Sequence, residues 1–373
     1  MTPVWLRSFR SRLRRWHAQH GRDLPWRGAD AYRVWISEIM LQQTTVAAVI
    51  PYFERFLKAF PTVTALAAAD EQQVLRLWEG LGYYSRARNL HRAARVIVSE
   101  HEGRLPKDVT ALQKLPGVGR YTAGAIASFA YDRPAPIVEA NTLRLYARLL
   151  AYDGDPRSSA GQQRLWQFAE EVLPTKQPGE FNQALMDLGA TVCVPDEPRC
   201  EECPVMTLCG AFQSGRQCEI PIPKRRPELT DVTECAVVAQ RRGKYLVRRC
   251  QPGERWAGLW DFPRFPVTTP EPGNQSKVRT TGQSSNVGAT LARAASEGVR
   301  RLTGIEVAIQ SQLREIRHGV TRYRIRLICL SGQWRSGTLS GSDDLLRWVS
   351  RDELQHLPLS TTGRKIAGTL AAD

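Results

Sequence analysis

A chain of 373 residues is long enough for two domains, each with its own hydrophobic core. A formal net charge of +15, carried mainly by arginine and accompanied by ten tryptophans, points to a polyanionic partner, most simply nucleic acid. No stretch nears the ~20 consecutive apolar residues of a membrane helix, and the arginine-rich start lacks an apolar signal core, so membrane and secretory classes are set aside.

In chain order, Trp5, Phe9, Leu13 and Trp16 have the spacing of one buried helix face. Helices are then predicted over 31–49, 71–78, 85–100, 121–130, 142–151 and 162–173, with Pro51, Pro61, Gly80, Gly82, Pro106, Pro116 and Pro156 as punctuation. Residues 1–212 therefore read as an all-α domain. Residues 213–231, which contain Ile220-Pro221-Ile222-Pro223-Lys224-Arg225-Arg226-Pro227, read as an extended linker. From 232 to 373 the texture is α+β. Strand-like runs at 235–240 and 244–249 flank an Arg242-Gly243 hairpin, a helix is expected over 289–302, and strands over 305–310, 313–317 and 323–330. The Ser/Thr/Gly/Pro-rich segment 268–288 reads as a disordered insertion.

Four cysteines, Cys193, Cys200, Cys203 and Cys209, fall within 17 residues with the spacing C-x6-C-x2-C-x5-C. Clustered thiolates are soft ligands, suited to an iron–sulfur centre or to zinc. Zinc sites usually pair two short C-x2-4-C hooks and this segment has one, which favours iron–sulfur. Eight cysteines in all, half of them in this cluster, suit a reducing cytoplasm better than a disulfide framework. Further upstream, Leu115-Pro116-Gly117-Val118-Gly119 breaks one helix and opens another. Glycines 117 and 119 leave backbone amides bare at a helix N-terminus, a place to hold a phosphate without reading sequence. Glu38, in Trp35-Ile36-Ser37-Glu38-Ile39-Met40-Leu41-Gln42-Gln43-Thr44, is a carboxylate among apolar neighbours. It is either a solvent-facing helix glutamate or a desolvated general acid.

The cysteine spacing, the segment Phe181–Ala190 before it, the Leu-Pro-Gly-Val-Gly hairpin (about 111–130) and the Glu-x-Met-Leu-Gln-Gln-Thr run together resemble the helix-hairpin-helix DNA glycosylases, in particular the MutY-type group. The resemblance implies a helical glycosylase fold with a [4Fe–4S] loop at 193–209, followed by a MutT (Nudix)-like domain. The implied activity is removal of adenine mispaired with 8-oxoguanine or guanine in double-stranded DNA, by a monomeric cytoplasmic enzyme of bacterial type. In the family, Glu38 protonates adenine and a carboxylate in Val138-Glu139-Ala140-Asn141 steadies the sugar cation. Glu139 stands where the family has aspartate, one methylene longer. Asn141 helps to position the site, and its other reading is an N-cap for a helix from Thr142.

Tyr121 occupies the position where endonuclease III-like enzymes carry a Schiff-base lysine, which implies mainly monofunctional chemistry. By the same resemblance Arg22, Leu24, Trp26 and Arg27 line the adenine pocket. Gln42, Gln43, Thr44, Leu81 and Tyr83 contact the opened duplex, Gly117 and Gly119 the backbone, and Thr321 the oxidised base. The helix before Ile305 has Arg300, Arg301 and Leu302 where a Nudix hydrolase needs paired glutamates, so the second domain reads as a recognition module. Two rivals remain. One is an endonuclease III-like pyrimidine-lesion glycosylase, and the other, prompted by Glu139, is a mismatch-binding protein without catalysis.

Overall fold

The computed structural model describes residues 1–223, 228–267 and 288–370. The chain divides into two units, one of Met1–Ala69 with Ser85–Arg225, the other of Asp70–Tyr84 with Arg226–Asp373. No helix among the described residues is long and apolar enough to cross a membrane.

The helices of the N-terminal half are α1 (Pro3–His20), α2 (Ala31–Leu41), α3 (Val46–Ala59), α4 (Val63–Ala68), α5 (Glu71–Trp78), α6 (Ser85–Glu100), α7 (Val109–Gln113), α8 (Arg120–Tyr131), α9 (Ala140–Leu149), α10 (Ser159–Val172), α11 (Pro178–Thr191) and the short α12 (Gly210–Gln213). Side-chain oxygens start most of them: Thr2, Asp30, Thr45, Thr62, Asp70, Asp108 and Ser158 each accept a first-turn amide. The single helix expected over 31–49 is two. Thr45 caps α3 and Gln43 takes a φ of 56°, so the chain turns at 42–45, and Pro51 lies inside α3 instead of ending a helix.

The core of the first unit packs Phe9, Leu13 and Trp16 of α1 against Leu145, Tyr146 and Leu149 of α9, Phe168 of α10, and Phe181, Leu185 and Leu188 of α11. The stripe read from α1 is thus a core face, with Trp5 half-buried at its edge. Helix α11 approaches α9 so closely at Gly189 that a Cβ there would meet the Asn141 side chain at 2.9 Å. Part of the stretch read as a linker is built into this unit. Ile220 is buried with Ala147 and Ala211, and its carbonyl accepts from Arg148 Nε at 2.8 Å. Residues 224–227 of that stretch, and 268–287 of the expected insertion, lie outside the described residues.

The second unit is a mixed sheet of β1 (Thr230–Arg241), β2 (Lys244–Arg249), β3 (Trp260–Asp261), β4 (Arg264–Pro266), β5 (Glu306–Val320), β6 (Tyr323–Ser336) and β7 (Leu346–Val349), with α13 (Ala289–Thr303), α14 (Arg351–His356) and α15 (Thr361–Ala367). The order is β3-β2-β1-β6-β5, with β4 on β1 and β7 on β2. Strands β1 and β6 run parallel, Thr230 opposite Tyr323 through Gln240 opposite Gln333. Alternation sends Ala236 and Val238 to one face, with Leu354 and Ile366. It sends Cys235 and Val237 to the other, with Ala295 and Val299 of α13.

The Arg242-Gly243 hairpin forms as expected, both residues at positive φ (50° and 73°) between paired Arg241 and Lys244. The two strands expected over 305–317 are one, β5, interrupted by register shifts near Gln312. Helix α5 belongs with this unit. Trp260 Nε1 donates to Gln72 Oε1 (3.0 Å), and Arg364 grips Glu79 through Nε (2.7 Å) and Nη2 (2.9 Å).

Candidate active site

A cavity of about 740 Å³ opens in the first unit. The loop between α1 and α2 supplies Arg22, Leu24, Trp26 and Arg27 to its wall, and α2 supplies Glu38. The turn after α2 adds Gln42, Gln43 and Thr44. Helix α8 adds Tyr121, and the start of α9 adds Glu139 and Asn141. Residues more than 100 positions apart in the chain thus share one space. Gln183, Met186 and Ala190 of α11 also line it and were not singled out from sequence, although their i, i+3, i+7 spacing marks one helix face.

Glu38 is 3 % exposed on a helix whose neighbours Trp35, Ile36 and Met40 are fully buried. Tyr121 Oη donates to Glu38 Oε2 at 2.6 Å and lies 3.8 Å from Met186 Sδ. Burial, helped by the charge of Glu139, outweighs the tyrosine bond and pushes the Glu38 carboxyl up to about 7. Of the two readings of Glu38, the solvent-facing one is excluded. Burial, then the charges of Glu38 and Glu139, raise Tyr121 well above the usual phenol range, so it acts as a hydrogen-bond donor.

Glu139 is the N-cap of α9, a role that one of the two readings gave to Asn141. The carboxylate folds back so that Oε1 accepts from Asn141 N (2.8 Å) and Thr142 N (3.0 Å), and Thr142 Oγ1 accepts from Glu139 N (2.8 Å). A helix N-terminus favours negative charge there. Asn141 is the second residue of the helix, its Nδ2 3.5 Å from Glu139 Oε2 and its Oδ1 accepting from Arg144 Nη2 at 2.9 Å. Arg144 Nε also donates to the Cys193 carbonyl (2.8 Å), which ties the start of α9 to the cysteine loop.

Arg22 and Arg27 share a partner that sequence reasoning missed. Asp187 of α11 has a fully buried side chain that accepts from Arg22 N (3.0 Å), Arg22 Nε (2.7 Å) and Arg27 Nη2 (2.6 Å). Burial alone would raise its carboxyl, but His17, Arg27 and Arg22 hold it well below the usual carboxylate range.

At the other predicted contacts, Gly117 has a φ of 78°, and a Cβ there would meet Asn89 at 2.7 Å. Gly119 begins α8 with open space around it and no side-chain cap, which leaves first-turn amides for an anion. The turn at 42–44 is held by buried Arg86, whose Nη1 donates to the carbonyls of Ile39 (2.9 Å), Met40 (3.0 Å) and Gln42. Gln42 Nε2 donates to Thr122 Oγ1 at 3.3 Å. Gln43 is in the first unit, whereas Leu81, buried, and Tyr83, half-exposed with a φ of 49°, fall in the second. Thr321 lies at the exposed turn between β5 and β6 with a φ of 51°, its hydroxyl donating to the Val320 carbonyl at 2.7 Å.

Cys193, Cys200, Cys203 and Cys209 line one small cavity with Arg148 and Val205. None is in a disulfide. Burial first, then the neighbouring thiols, push Cys203 up to about 12. Buried Arg148 donates from Nη1 to Cys193 Sγ at 3.2 Å and to the Val194 carbonyl at 2.7 Å. No three His, Cys, Asp or Glu side chains among the described residues gather so as to hold a metal ion.

Residues 36–171 match the model of the HhH-GPD superfamily base excision DNA repair proteins, and residues 234–368 that of the NUDIX domain. The chain is 35 % identical over 419 residues to the adenine DNA glycosylase of Rattus norvegicus, covering 96 % of this chain and 77 % of that protein. It is 37 % identical to that of Buchnera aphidicola subsp. Schizaphis graminum, covering 67 % and 73 %. It is 41 % identical to that of Mus musculus over 76 % of this chain, and the match spans 56 % of the mouse protein's length. Among solved structures, a thermostable thymine-DNA glycosylase superposes with a TM-score of 0.53 at 29 % identity, over 57 % of this chain and 98 % of that one. An endonuclease III trapped on DNA, 22 % identical with a TM-score of 0.50 over 58 % of this chain and 99 % of that one, shares the fold.

Proposed function

The chain belongs to the adenine DNA glycosylases, base excision DNA repair enzymes of the HhH-GPD superfamily that here carry a NUDIX domain, and from that membership we propose that it hydrolyses the N-glycosidic bond of adenine mispaired with 8-oxoguanine or guanine in duplex DNA. The observation that carries the reading is the buried Glu38–Tyr121 pair facing Glu139 across one cavity.

A flipped adenine enters the cavity between Leu24, Trp26 and the arginines. Glu38, protonated near neutral pH, gives its proton to the purine ring, and Tyr121 steadies the carboxylate left behind. The C1′–N9 electron pair leaves with the base as neutral adenine, and positive charge develops on the sugar. Glu139 Oε2, the oxygen not committed to capping α9, faces that charge as stabiliser or transient nucleophile. Water adds to C1′ and its proton returns to the carboxylates, leaving an abasic site. Tyr121 forms no imine, so the strand stays intact.

The four cysteines suit a [4Fe–4S] cluster. They are soft donors around one cavity, with a buried guanidinium beside Cys193. Such a cluster would clamp the 193–209 loop to α9, and no step of the hydrolysis passes through it. Thr321 supports a reading of the oxidised base. Its hydrogen is spent on Val320 O, so its oxygen lone pairs are left to accept from the lesion's N7–H. The place of action is the DNA of a bacterial-type cytoplasm, with the chain as a monomer.

One observation favours the mismatch-binding rival: half of the Glu139 carboxylate is engaged by α9. Single-turnover assays on duplexes with A opposite 8-oxoguanine, G, C and T separate the readings. Excision from the first two, leaving unbroken abasic strands that borohydride does not trap on the protein, is expected. Tight binding without excision would favour the rival.

A further inference from the structure

His17, in the last turn of α1, takes no part in the chemistry above, yet it closes the polar cluster behind the pocket wall. It is 9 % exposed. Its Nε2 lies 3.3 Å from Asp187 Oδ2 and 3.4 Å from Arg27 Nη1. Its Nδ1 lies 4.0 Å from Glu180 Oε1, a carboxylate on the same helix as Asp187. Gly21 packs against the ring so tightly that a Cβ there would meet Nε2 at 3.0 Å. The imidazole is therefore boxed in.

We propose that His17 is a positioning residue for the base-binding pocket, holding from behind the Asp187 carboxylate that grips the Arg27 guanidinium against the wall. Arg27 reaches Asp187 Oδ2 through Nη2 at 2.6 Å, and His17 Nε2 lies 3.3 Å from the same oxygen. A proton on Nε2 donates to that oxygen and fixes the carboxylate between the ring and the two arginines. A carboxylate held on both sides gives Arg27 a partner with a set position. The charged groups facing the ring are Asp187 and Glu180 of α11 with Arg27 and Arg22 of the following loop. The ligand served is the purine in the cavity that Arg27 lines, so the inference rests on the reading of that cavity as the adenine pocket.

The test uses the full chain and two variants. His17→Phe keeps the ring and removes the hydrogen bonds, and His17→Gln restores an amide near Nε2. Affinity is measured for two 8-oxoguanine duplexes, one carrying uncleavable 2′-fluoro-adenosine and the other a tetrahydrofuran abasic analogue with no base. His17→Phe is expected to lose about ten-fold on the adenine duplex, the scale of a hydrogen bond to a charged group, with the abasic duplex bound as by the native chain. His17→Gln is expected to recover most of that loss. Equal affinities for native and His17→Phe chains on the adenine duplex overturn the inference. Equal losses on both duplexes, unrelieved in His17→Gln, also overturn it, since they assign His17 to folding alone. A native chain that holds the adenine duplex no better than the abasic one would overturn the pocket reading itself.

Discussion

Two carboxylates in one cavity have opposite settings. Glu38 is buried with a single donor, and its carboxyl rises from 4.5 to about 7. In the proposed mechanism its protonated form carries the reaction, so single-turnover excision should hold level below pH 7 and fall by up to about ten-fold per unit above it. Because the folded state binds this proton more tightly than the unfolded chain, its ionisation costs stability. The cost begins as pH rises past 4.5 and reaches roughly 3 kcal/mol above pH 7. Glu38→Gln should therefore bind mispaired duplex normally, lose about 100-fold or more in excision, and unfold at higher denaturant than the native chain at pH 8 but not at pH 4.5. A native excision rate in that variant would remove Glu38 from the mechanism. Glu139 makes the sharper case, because the carboxylate that caps α9 is also the one proposed to face the sugar. Glu139→Gln should nearly abolish excision, since it removes the charge and keeps the size, whereas Glu139→Asp should retain activity. If Glu139→Gln excises as fast as the native chain, another group stabilises the cation.

At the scale of elements, short-range chemistry was the legible part. The cap residues, the Arg242-Gly243 hairpin and the glycines before α8 act over two to four residues, and a sequence displays such patterns directly. The turn at 42–45 was less legible, because an apolar run continues through it. Its geometry depends on Arg86, which fills the carbonyl end of α2 from another helix. The turn between β5 and β6 presents Thr321 at positive φ, and the prediction attached to it is local. Thr321→Val should erode the preference for 8-oxoguanine:A over G:A by several-fold, the worth of one hydrogen bond, with G:A excision spared. An unchanged ratio in side-by-side single turnovers would move lesion reading to Gln43 or Tyr83.

For the whole molecule, the loop proposed to hold the cofactor is tied to α9 of the first unit by two arginines. Arg148 links α9 to the loop at Cys193 and Val194, and Arg144 links the same helix from Asn141 to the Cys193 carbonyl. Pure protein should carry about four irons per chain. Stoichiometric zinc in anaerobically prepared material would replace the cluster with a different centre. Cys203→Ser should lower the unfolding temperature and weaken affinity for DNA more than it slows excision on DNA already bound. A variant with full stability and affinity would leave the loop with no structural need of a metal.

The sequence by itself determined that the chain has a helical half and an α+β half, and that it carries a four-thiol loop and a Leu-Pro-Gly-Val-Gly turn before a helix. These are statements about residue type and short spacing, which covalent order preserves. Only the family resemblance grouped Glu38, Tyr121 and the 139–141 segment as candidates for one site. Tertiary structure alone decided the rest. It brought Tyr121 to Glu38 across 83 positions and turned Glu139 into a helix cap. It also buried Asp187 under Arg22 and Arg27, set His17 beside them, and joined α5 to the second unit. The physical reason is the same in each case. A hydrogen bond or ion pair between distant residues exists only once packed helices fix both side chains, and the protonation of a carboxyl follows from the burial and partners it then meets.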